Sequence, residues 1–543
     1  MKWATIVIAA LMAVMLAQQF PNWNRKALSM GRYHRVEEMA ETIEGTGWMN
    51  ALVNGAEIMA REKLGKIVYY GDGIAGFTTV IMSIDKLANV NYSLLISGKT
   101  DASTDGDMPT QTLTAHIPML FHPNPKSVMV LGYASGVTAG EILNYPVDNV
   151  DILEISKEVI KASEFFEPWN GKVLDDPKTN LIIQDGRAHL QLTNRRYDVI
   201  VSEPSNPWMA GLATLFTQDY FQAAKNKLNT DGIFAQFIHS YQMDWNGFAM
   251  VCRTFANVFP NNAMVRTAIG DFMMVGFNGK KGFDIRTAYE NLKYAKKSDN
   301  IVIRNPKVIF SLITSQDLKH LAGPGKINSD DWPYLEFQAP KAMHAISIEE
   351  IREQMQPRRT LNQETMKIVK QYASDVDAQI DLTELALSVY VPFEGIVNLD
   401  IATPKQKKEY YELVLSYAAK REMKYDYIYN DELREKCYDV QIEAVKQRID
   451  KQINKAIAYQ TLAELYARKK QYDKAEKYCR MTLNFFPNFA ELYEELAFAL
   501  HLQGKLKDAI IYYDKALKLN PNLTQARENR NLILKKLSQT EKN

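Results

Sequence analysis

The stretch of chain from Lys126 to Gly211 contains four apolar segments, and each of them ends in small or polar residues. These segments, with their ends included, cover residues 127–136, 150–154, 181–186 and 197–203. Buried strands that alternate with helices form a parallel sheet, and such sheets bind ligands at the edge where the carboxyl ends of the strands meet. The spacing therefore predicts a Rossmann-like α/β domain with a nucleotide-type site at that edge.

The ends of the first three segments supply six candidate cofactor-binding residues, namely Gly132, Ser135, Gly136, Glu154, Asp185 and Gly186. Gly132 and Gly136 permit a sharp turn and a close approach of a ligand to the backbone. Glu154 follows Gly132 by 22 residues, which is the spacing at which an acid binds ribose hydroxyls. Asp185 can accept a hydrogen bond from an adenine amino group.

The turn Gly132-Tyr-Ala-Ser-Gly136 departs from the G-x-G-x-x-G pattern of dinucleotide sites, so NAD is disfavoured. An adenosine ligand without phosphates fits better. S-adenosylmethionine, or its decarboxylated form, carries a sulfonium cation that carboxylates at the strand ends would stabilise. Glu203, at the end of the fourth segment, lies where the reactive end of that ligand is expected. The alternative is the same fold with acidic loop tips and no ligand.

The chain resembles the spermidine-synthase-like proteins, and most closely the branch that bacteria fuse behind a major-facilitator-type membrane domain. The resemblance covers about residues 20–340. It is carried by residues 23–25, 29–33, 97–103, 107–111, 116–125, 203–208, 215–217, 270–276 and 329–337, together with the four strand segments. It implies a small N-terminal β domain, at about residues 66–96, beside a Rossmann-like transferase domain.

The departures from this family concern the polyamine substrate. Spermidine synthases have an Asp in the first glycine turn that holds the aminopropyl ammonium, and here that position is Ser135. A second acid after the fourth strand is replaced by Asn206, and a Tyr that contacts the diamine is replaced by Gln111. Asn cannot accept a proton or neutralise an ammonium. The resemblance therefore supports the cofactor class better than it supports a polyamine acceptor.

The reaction that the resemblance implies is an in-line displacement at a carbon attached to the sulfonium. Glu203 would accept the proton of the attacking amine, or pair with its ammonium and orient it. The alternative is that Glu203 pairs with a cation such as Lys99. Asp101 and Tyr241, with Gln111 and Asn206, are the candidates for binding the acceptor. Asp107 is predicted only to cap the helix that carries Gln111.

Three functions are consistent with these residues. The first is aminopropyl transfer to an amine or polyamine. The second is a methyltransferase that uses S-adenosylmethionine itself, because Ser135 removes an anion that would repel the carboxylate of that cofactor. The third is a non-catalytic cofactor-binding or scaffold protein. The eight His residues show no metal-ligand spacing, so no metal is expected. A net charge of +1 gives no general attraction to nucleic acid.

The N-terminal segment is apolar from Trp3 to Ala17 and is predicted to anchor the chain in a membrane, with a cleaved signal sequence as the alternative. Positive residues are denser after this segment than before it. The positive-inside tendency then predicts that the remaining domains face the cytoplasm. Three widely separated cysteines, Cys252, Cys437 and Cys479, also indicate a reducing compartment.

Beyond residue 340 the chain is predicted to be helical. A pattern of Tyr, Leu, Ala and Pro recurs with a period of 34, as in Tyr459 and Tyr493, which is the period of tetratricopeptide repeats. Because about three repeats are needed to bury a continuous core, earlier helices are expected to pack on these two. The repeats are predicted to bind a protein or peptide partner, or instead to stabilise the transferase or a homodimer.

The sequence therefore predicts an α/β transferase followed by an all-α repeat domain, after one N-terminal membrane helix. The predicted domains are residues 1–20 (membrane anchor), 21–65 (linker and helix), 66–118 (N-terminal β domain and connecting helix), 119–345 (Rossmann-like domain), 346–455 (helical region) and 456–540 (repeats with a capping helix at 524–537).

Overall fold

The computed structural model describes most of residues 65–300, residues 312–343 and most of residues 431–540, together with residues 25–31 and a few isolated positions. The chain divides into two compact units. The first consists of residues 1–83 and 92–380, and the second of residues 84–91 and 381–543. Two sheets lie mainly in the first unit. The second unit includes the ends of two strands, within residues 84–91, and its remaining described residues are mainly helical.

The smaller sheet of the first unit has four strands in sequential order. Its strands are β1 (Lys66–Gly73), β2 (Gly76–Ile84), β3 (Val90–Ile96) and β4 (Lys99–Ser103). Val80, Leu94 and Ala102 pack in one apolar cluster with Val159 and Phe166 of the larger domain. This burial fixes β4 beside the carboxyl edge of the larger sheet.

The larger sheet has eight strands in the order β12-β10-β11-β9-β8-β5-β6-β7. They are β5 (Ser127–Leu131), β6 (Asn149–Glu154), β7 (Thr179–Ile183), β8 (Tyr197–Ser202), β9 (Leu228–His239), β10 (Asn262–Ala268), β11 (Asp271–Phe277) and β12 (Ile313–Ser315). Strands β5 to β9 pair in parallel, whereas β10, β11 and β12 pair antiparallel. The predicted Rossmann-like domain is therefore present.

The strand order reverses at β5, because β6 and β7 lie on one side of it and β8 and β9 on the other. In open α/β sheets the ligand crevice lies outside the carboxyl ends of the strands at such a reversal. The four polar strand ends of the sequence follow β5, β6, β7 and β8. They therefore meet at one edge, as their spacing predicts.

Both units contain helices. The first contains α1 (Arg25–Ser29), α2 (Met108–Phe121), α3 (Val137–Ile142), α4 (Lys157–Ala162), α5 (Glu167–Asn170), α6 (Gly186–Leu192), α7 (Gln218–Asn226), α8 (Trp245–Val258), α9 (Ile285–Ala295), α10 (Leu318–Ala322) and α11 (Tyr334–Ala342), with single 3₁₀ turns at Ser163–Phe166, Val173–Asp175 and Leu212–Phe216. The second contains α12 (Asp431–Asp450), α13 (Lys455–Arg468), α14 (Tyr472–Leu483), α15 (Ala490–Leu502), α16 (Leu506–Leu519) and α17 (Thr524–Thr540).

Helix α2 is buried along its whole length and carries two residues of the cavity described below. Its His116 lies 2.8 Å from the hydroxyl of Tyr145 and 3.0 Å from a carboxylate oxygen of Glu141. Buried polar groups need such partners, because an unpaired one loses its hydrogen bonds to water. The network fixes the rotation of α2, and with it the direction of Thr110 and Gln111.

The helical unit contains the two predicted repeats, α13 with α14 and α15 with α16, followed by the capping helix α17. The small residues that recur with the period of 34, such as Ala463 and Ala497, are buried where the helices approach closely. Helix α12 packs on the first repeat through Cys437 and Val445. The expectation that earlier helices complete the core is therefore met.

The predicted membrane anchor is contradicted. Within the part of the chain that the structure describes, no helix combines the length and the apolar character that crossing a membrane requires. Helix α1, the first one described, has only five residues, whereas a spanning helix needs about 20. Residues 1–20, on which the anchor was predicted, lie outside the described residues. The prediction of a membrane-anchored chain that faces the cytoplasm is wrong on this finding.

Gly140 allows α3 to lie against α5, because a Cβ atom at this position would be 2.3 Å from the backbone oxygen of Asn170. We expect Gly140→Ala to destabilise the fold by about 1–3 kcal/mol, since a packed backbone has to shift. Gly106→Ala is the matched control, because nothing lies within 4 Å of its added Cβ. Urea denaturation followed by circular dichroism measures both. Equal midpoints for the two variants would contradict the tight packing.

Candidate active site

A cavity of about 480 Å³ lies at the carboxyl edge of the larger sheet, within the first unit. Small-molecule sites in proteins usually have volumes of about 300–1,000 Å³. Eight of the eleven predicted site residues line it, namely Asp101, Gln111, Gly132, Glu154, Asp185, Gly186, Glu203 and Tyr241. The structure therefore brings together residues that are more than a hundred positions apart in the sequence.

The cavity depends on a close approach between the ends of β5 and β8. Gly132 has a φ of 91°, and a Cβ atom on it would be 2.9 Å from the backbone oxygen of Glu203. The backbone N–H of Glu203 donates a hydrogen bond of 2.9 Å to the carbonyl of Leu131. A side chain at position 132 would separate the two strand ends, so glycine is required there.

Glu154 holds the glycine turn in shape. One of its carboxylate oxygens accepts a hydrogen bond of 3.1 Å from the N–H of Tyr133, and the other accepts one of 2.8 Å from the N–H of Ser156. Burial raises the pKa of Glu154, although these backbone donors oppose it. Each carboxylate oxygen can accept a second hydrogen bond. The binding of ribose hydroxyls by Glu154 stays a prediction.

Asp185 caps helix α6, and its Oδ1 accepts a hydrogen bond of 2.7 Å from the N–H of Ala188. Gly186, the next residue, lets this helix start directly against β5, since a Cβ atom there would be 2.4 Å from the side chain of Leu131. The cap occupies one oxygen of Asp185. Its predicted contact with an adenine amino group is therefore left to the other oxygen.

Glu203 is a strongly perturbed acid of the cavity. Burial raises its pKa to about 8, although a hydrogen bond with Thr138 opposes this shift. Its Oε1 has no hydrogen-bond partner among the described residues. The predicted alternative, an ion pair with Lys99, is not observed, because Lys99 pairs with Asp101 instead. A buried carboxyl group with a pKa near neutrality is suited to accept a proton from a substrate.

Three predicted residues do not reach the cavity wall. The hydroxyl of Ser135 is buried and donates to the side-chain oxygen of Gln111. Gly136 starts helix α3 with a φ of 80° and lies against the ring of Tyr133. Asn206 is fully buried, and its amide atoms find no partner within the described part of the chain. These residues belong to the same motifs as the wall residues, but Gly136 has no side chain, and the side chains of Ser135 and Asn206 are buried within the protein.

Gln111 lines the cavity, but its amide group is used within the protein. Its Nε2 donates a hydrogen bond of 2.9 Å to the backbone oxygen of Ser103, and its oxygen accepts from Ser135. The predicted role of Gln111 as an acceptor ligand therefore requires that these bonds break. A direct contact between Gln111 and Ser135 cannot be inferred from their separation of 24 positions.

The far wall of the cavity is acidic, and the sequence does not reveal most of it. It comprises Asp101, Asp107 and Asp271, together with Lys99 and Thr110. Thr110 donates a hydrogen bond of 2.7 Å to Asp271. Asp107 stands at the start of α2, but its side chain makes no capping hydrogen bond. The prediction that Asp107 caps this helix is therefore wrong, and its side chain lines the cavity instead.

Burial, together with the neighbouring charge of Asp107, raises the pKa of Asp271 to about 7. Burial also raises the pKa of Asp107. Tyr241 completes this wall and stacks on His239, with 4.4 Å between the ring centres. Asp271 begins β11, an antiparallel strand, so its position beside α2 depends on pairings that no local sequence signal gives.

Comparison with known proteins identifies similar chains. The model of the spermine/spermidine synthase domain matches residues 108–282, and that of a tetratricopeptide repeat matches residues 490–523. The polyamine aminopropyltransferase of Thermotoga petrophila is 26% identical over 216 residues, which are 39% of this chain and 71% of that relative. The polyamine aminopropyltransferase of Bacillus subtilis is 28% identical over 236 residues, which are 40% of this chain and 83% of that relative.

Among solved structures, the spermidine synthase of Thermotoga maritima covers 53% of this chain and 87% of its own, with 20% identity and a TM-score of 0.37. The sequence relatives confirm the prediction of a transferase that resembles the aminopropyltransferases. The domain matches confirm the resemblance to spermidine synthases and the repeat. They do not show the relation to a branch with a fused membrane domain.

The raised pKa of Glu203 predicts a pH-dependent stability. Between its ordinary value of 4.5 and about 8, the folded protein binds a proton that the unfolded chain releases, so stability falls as the pH rises. Glu203→Gln removes this cost. We expect it to stabilise the fold by about 2 kcal/mol at about pH 6 and by about twice as much at about pH 9.

Thermal denaturation at both pH values measures this effect. The exposed Glu290, on α9, gives the control Glu290→Gln, for which we expect a change within about 0.5 kcal/mol at either pH. A Glu203→Gln variant whose melting temperature differs from that of the unaltered protein by the same amount at both pH values would contradict a protonated, buried Glu203.

Proposed function

We propose that this chain transfers an aminopropyl group from decarboxylated S-adenosylmethionine to an amine acceptor. The observation that carries the proposal is the buried carboxyl group of Glu203, with its unpartnered oxygen and raised pKa, at the reversal of the strand order. It lies between two acids suited to an adenosyl group and an acidic wall suited to an amine. The similarity to polyamine aminopropyltransferases supports the same reaction.

The donor would bind along the ends of β5, β6 and β7. Glu154 would accept hydrogen bonds from the ribose, and the free oxygen of Asp185 would accept one from the adenine amino group. Ile155 and Leu215, which also line the cavity, offer apolar contacts to the adenine ring. This arrangement would turn the sulfonium towards Glu203 and its reactive carbon towards the acceptor.

The acceptor would bind at the acidic wall with its amine towards Glu203. The amine nitrogen forms a bond to the carbon next to sulfur, and the carbon–sulfur bond breaks with its electron pair moving to sulfur. The sulfonium becomes a neutral thioether, and the proton that the amine loses passes to Glu203. A positioned base of this kind typically contributes ~10²–10⁴ in rate. Asp101 and Tyr241 would orient the acceptor.

A second candidate function is methyl transfer from intact S-adenosylmethionine. Two observations favour it. Ser135, at the position where spermidine synthases have an acid, places no negative charge near the carboxylate of that cofactor. Lys99 is the single basic side chain among the described residues that line the cavity, and an ammonium can bind a carboxylate.

Calorimetry with the full chain separates the two donors. We expect decarboxylated S-adenosylmethionine to bind at least about tenfold more tightly than the intact form, which corresponds to about 1.4 kcal/mol. Tighter binding of the intact form would favour methyl transfer. Binding of neither form would contradict both enzymatic proposals and leave a scaffold role.

Substitutions at Glu203 and Glu154 should separate catalysis from donor binding. We expect Glu203→Gln to lower kcat at least about 100-fold, while donor affinity stays within a few-fold, because the amide cannot accept the proton. We expect Glu154→Ala to weaken donor binding, because it removes the ribose acceptor. Steady-state kinetics and calorimetry measure both effects. Equal losses of kcat and affinity in Glu203→Gln would mean that Glu203 only supports the structure.

The helical unit is proposed to bind a protein or peptide segment, as arrays of helical repeats commonly do. The match to a tetratricopeptide repeat and the two helix pairs support this role. The alternative is that the repeats only stabilise the chain. Repeat architecture by itself identifies no partner.

A further inference from the structure

The acidic wall of the cavity contains its own ammonium group. Lys99 Nζ lies 2.6 Å from Asp101 Oδ1, and both side chains are only 9% exposed. Lys99 also donates a hydrogen bond of 3.2 Å to Ser205, whose hydroxyl donates one of 2.7 Å to Asp101. Ser205 is two residues beyond Glu203. The Lys99 ammonium therefore lies in the half of the cavity that the acceptor is proposed to occupy.

The charges of this half do not balance. Asp101, Asp107, Glu203 and Asp271 all line it, and Lys99 is the one described lining residue with a positive charge. The field of Lys99 acts on Asp107 and Asp271 as well as on its direct partner. A carboxylate that is removed from water needs a cation or a proton nearby. Burial raises the pKa of Glu203 and of Asp271, so bound protons offset part of this imbalance, and a cationic ligand would favour the ionised forms of both acids.

A second observation points to a ligand at this wall. Oδ2 of Asp101 is buried and has no hydrogen-bond partner among the described residues, although Oδ1 has two. A buried carboxylate oxygen without a hydrogen bond is costly unless a ligand group donates to it. The free oxygen belongs to the same carboxylate that binds the Lys99 ammonium. Asp101 can therefore accept one more hydrogen bond from a ligand, although it already binds the ammonium group of Lys99.

We infer that Lys99 supplies a permanent ammonium group to the acceptor half of the cavity. The acceptor that binds best therefore carries one ammonium group fewer than it would if residue 99 were neutral. This inference rests on the proposed function for its biological meaning, but it concerns binding alone. A ligand ammonium placed near Asp101 is repelled by Lys99. Without the lysine, both carboxylate oxygens of Asp101 become available to such a ligand. Lys99 is thus a residue that determines acceptor specificity.

The alternative is that Lys99 and Asp101 form an ordinary ion pair without influence on ligands. Exposed pairs of this kind contribute little, because water screens them. This pair is largely shielded from water and lines a cavity, where charges interact more strongly. The pairing of β3 with β4 skips Asp101, so a bulge at this residue sets the direction of its side chain beside Lys99.

Replacement of Lys99 by a neutral residue tests the inference. The probes are 1-aminobutane and 1,4-diaminobutane, which differ by one ammonium group, titrated into the full chain in a calorimeter without any donor. In Lys99→Met we expect the preference for the diamine over the monoamine to increase at least about tenfold over the unaltered protein. Lys99→Arg keeps the charge and should keep the original preference.

Two further variants make the result specific. Lys99→Gln leaves an amide to bond with Asp101, so it replaces the Met variant if that protein is unstable, and the same increase is expected. The double variant Lys99→Met with Asp101→Asn removes both charges and should return the preference to within about threefold of the original. Thermal denaturation of each variant checks that the fold is kept.

An unchanged preference in a folded Lys99→Met or Lys99→Gln protein overturns the inference. An equal increase of the diamine preference in the double variant also overturns it, because the increase would then not depend on the charge of Asp101. Absence of amine binding in every variant also overturns it. A changed preference in a protein that binds neither sulfonium donor supports the inference and contradicts the proposed function, so the two can fail independently.

Discussion

The close contact between the ends of β5 and β8 determines the geometry of the whole cavity. Gly132 has no side chain, so the backbone of Glu203 can lie against it and bond to Leu131. This contact places the carboxyl group of Glu203 beside the turn that Glu154 holds in shape through backbone N–H groups. A separation of the strands by the width of one methyl group would move that carboxyl group away from any ligand at the turn. The geometry of the proposed active site therefore depends on a missing Cβ atom.

Electrostatics divides the cavity into two halves with different requirements. In the first half, Glu154 and Asp185 each accept hydrogen bonds from backbone N–H groups, which fix the directions of both carboxylates and leave the second oxygen of Asp185 for a ligand. In the second half, Glu203 and Asp271 have raised pKa values because burial is not compensated by enough donors. The first half is suited to hold a rigid ligand, and the second to exchange protons and bind cations.

The sequence predicts the features that depend on local chemistry. The ends of β5 to β8 and the repeat period of 34 are readable because strand alternation and helix pairing leave regular patterns. The sequence does not predict that Asp271 and Lys99 lie close together, because strands β11 and β4 reach the cavity through long-range pairing. The directions of Ser135 and Asn206 are likewise missed. A motif gives the position of a residue in the chain, but packing decides which way its side chain points.

The hydrogen bond between Ser135 and Gln111 ties two positions of the chain to each other. Both side chains are buried, and Thr138 on the next turn also bonds to the backbone of Gln111. An acidic residue at position 135 would face the amide oxygen of Gln111 and lose its donor, so a single exchange there is unfavourable. The two positions are therefore expected to change together during evolution. A lineage that exchanged one of them before the other would pass through a less stable intermediate.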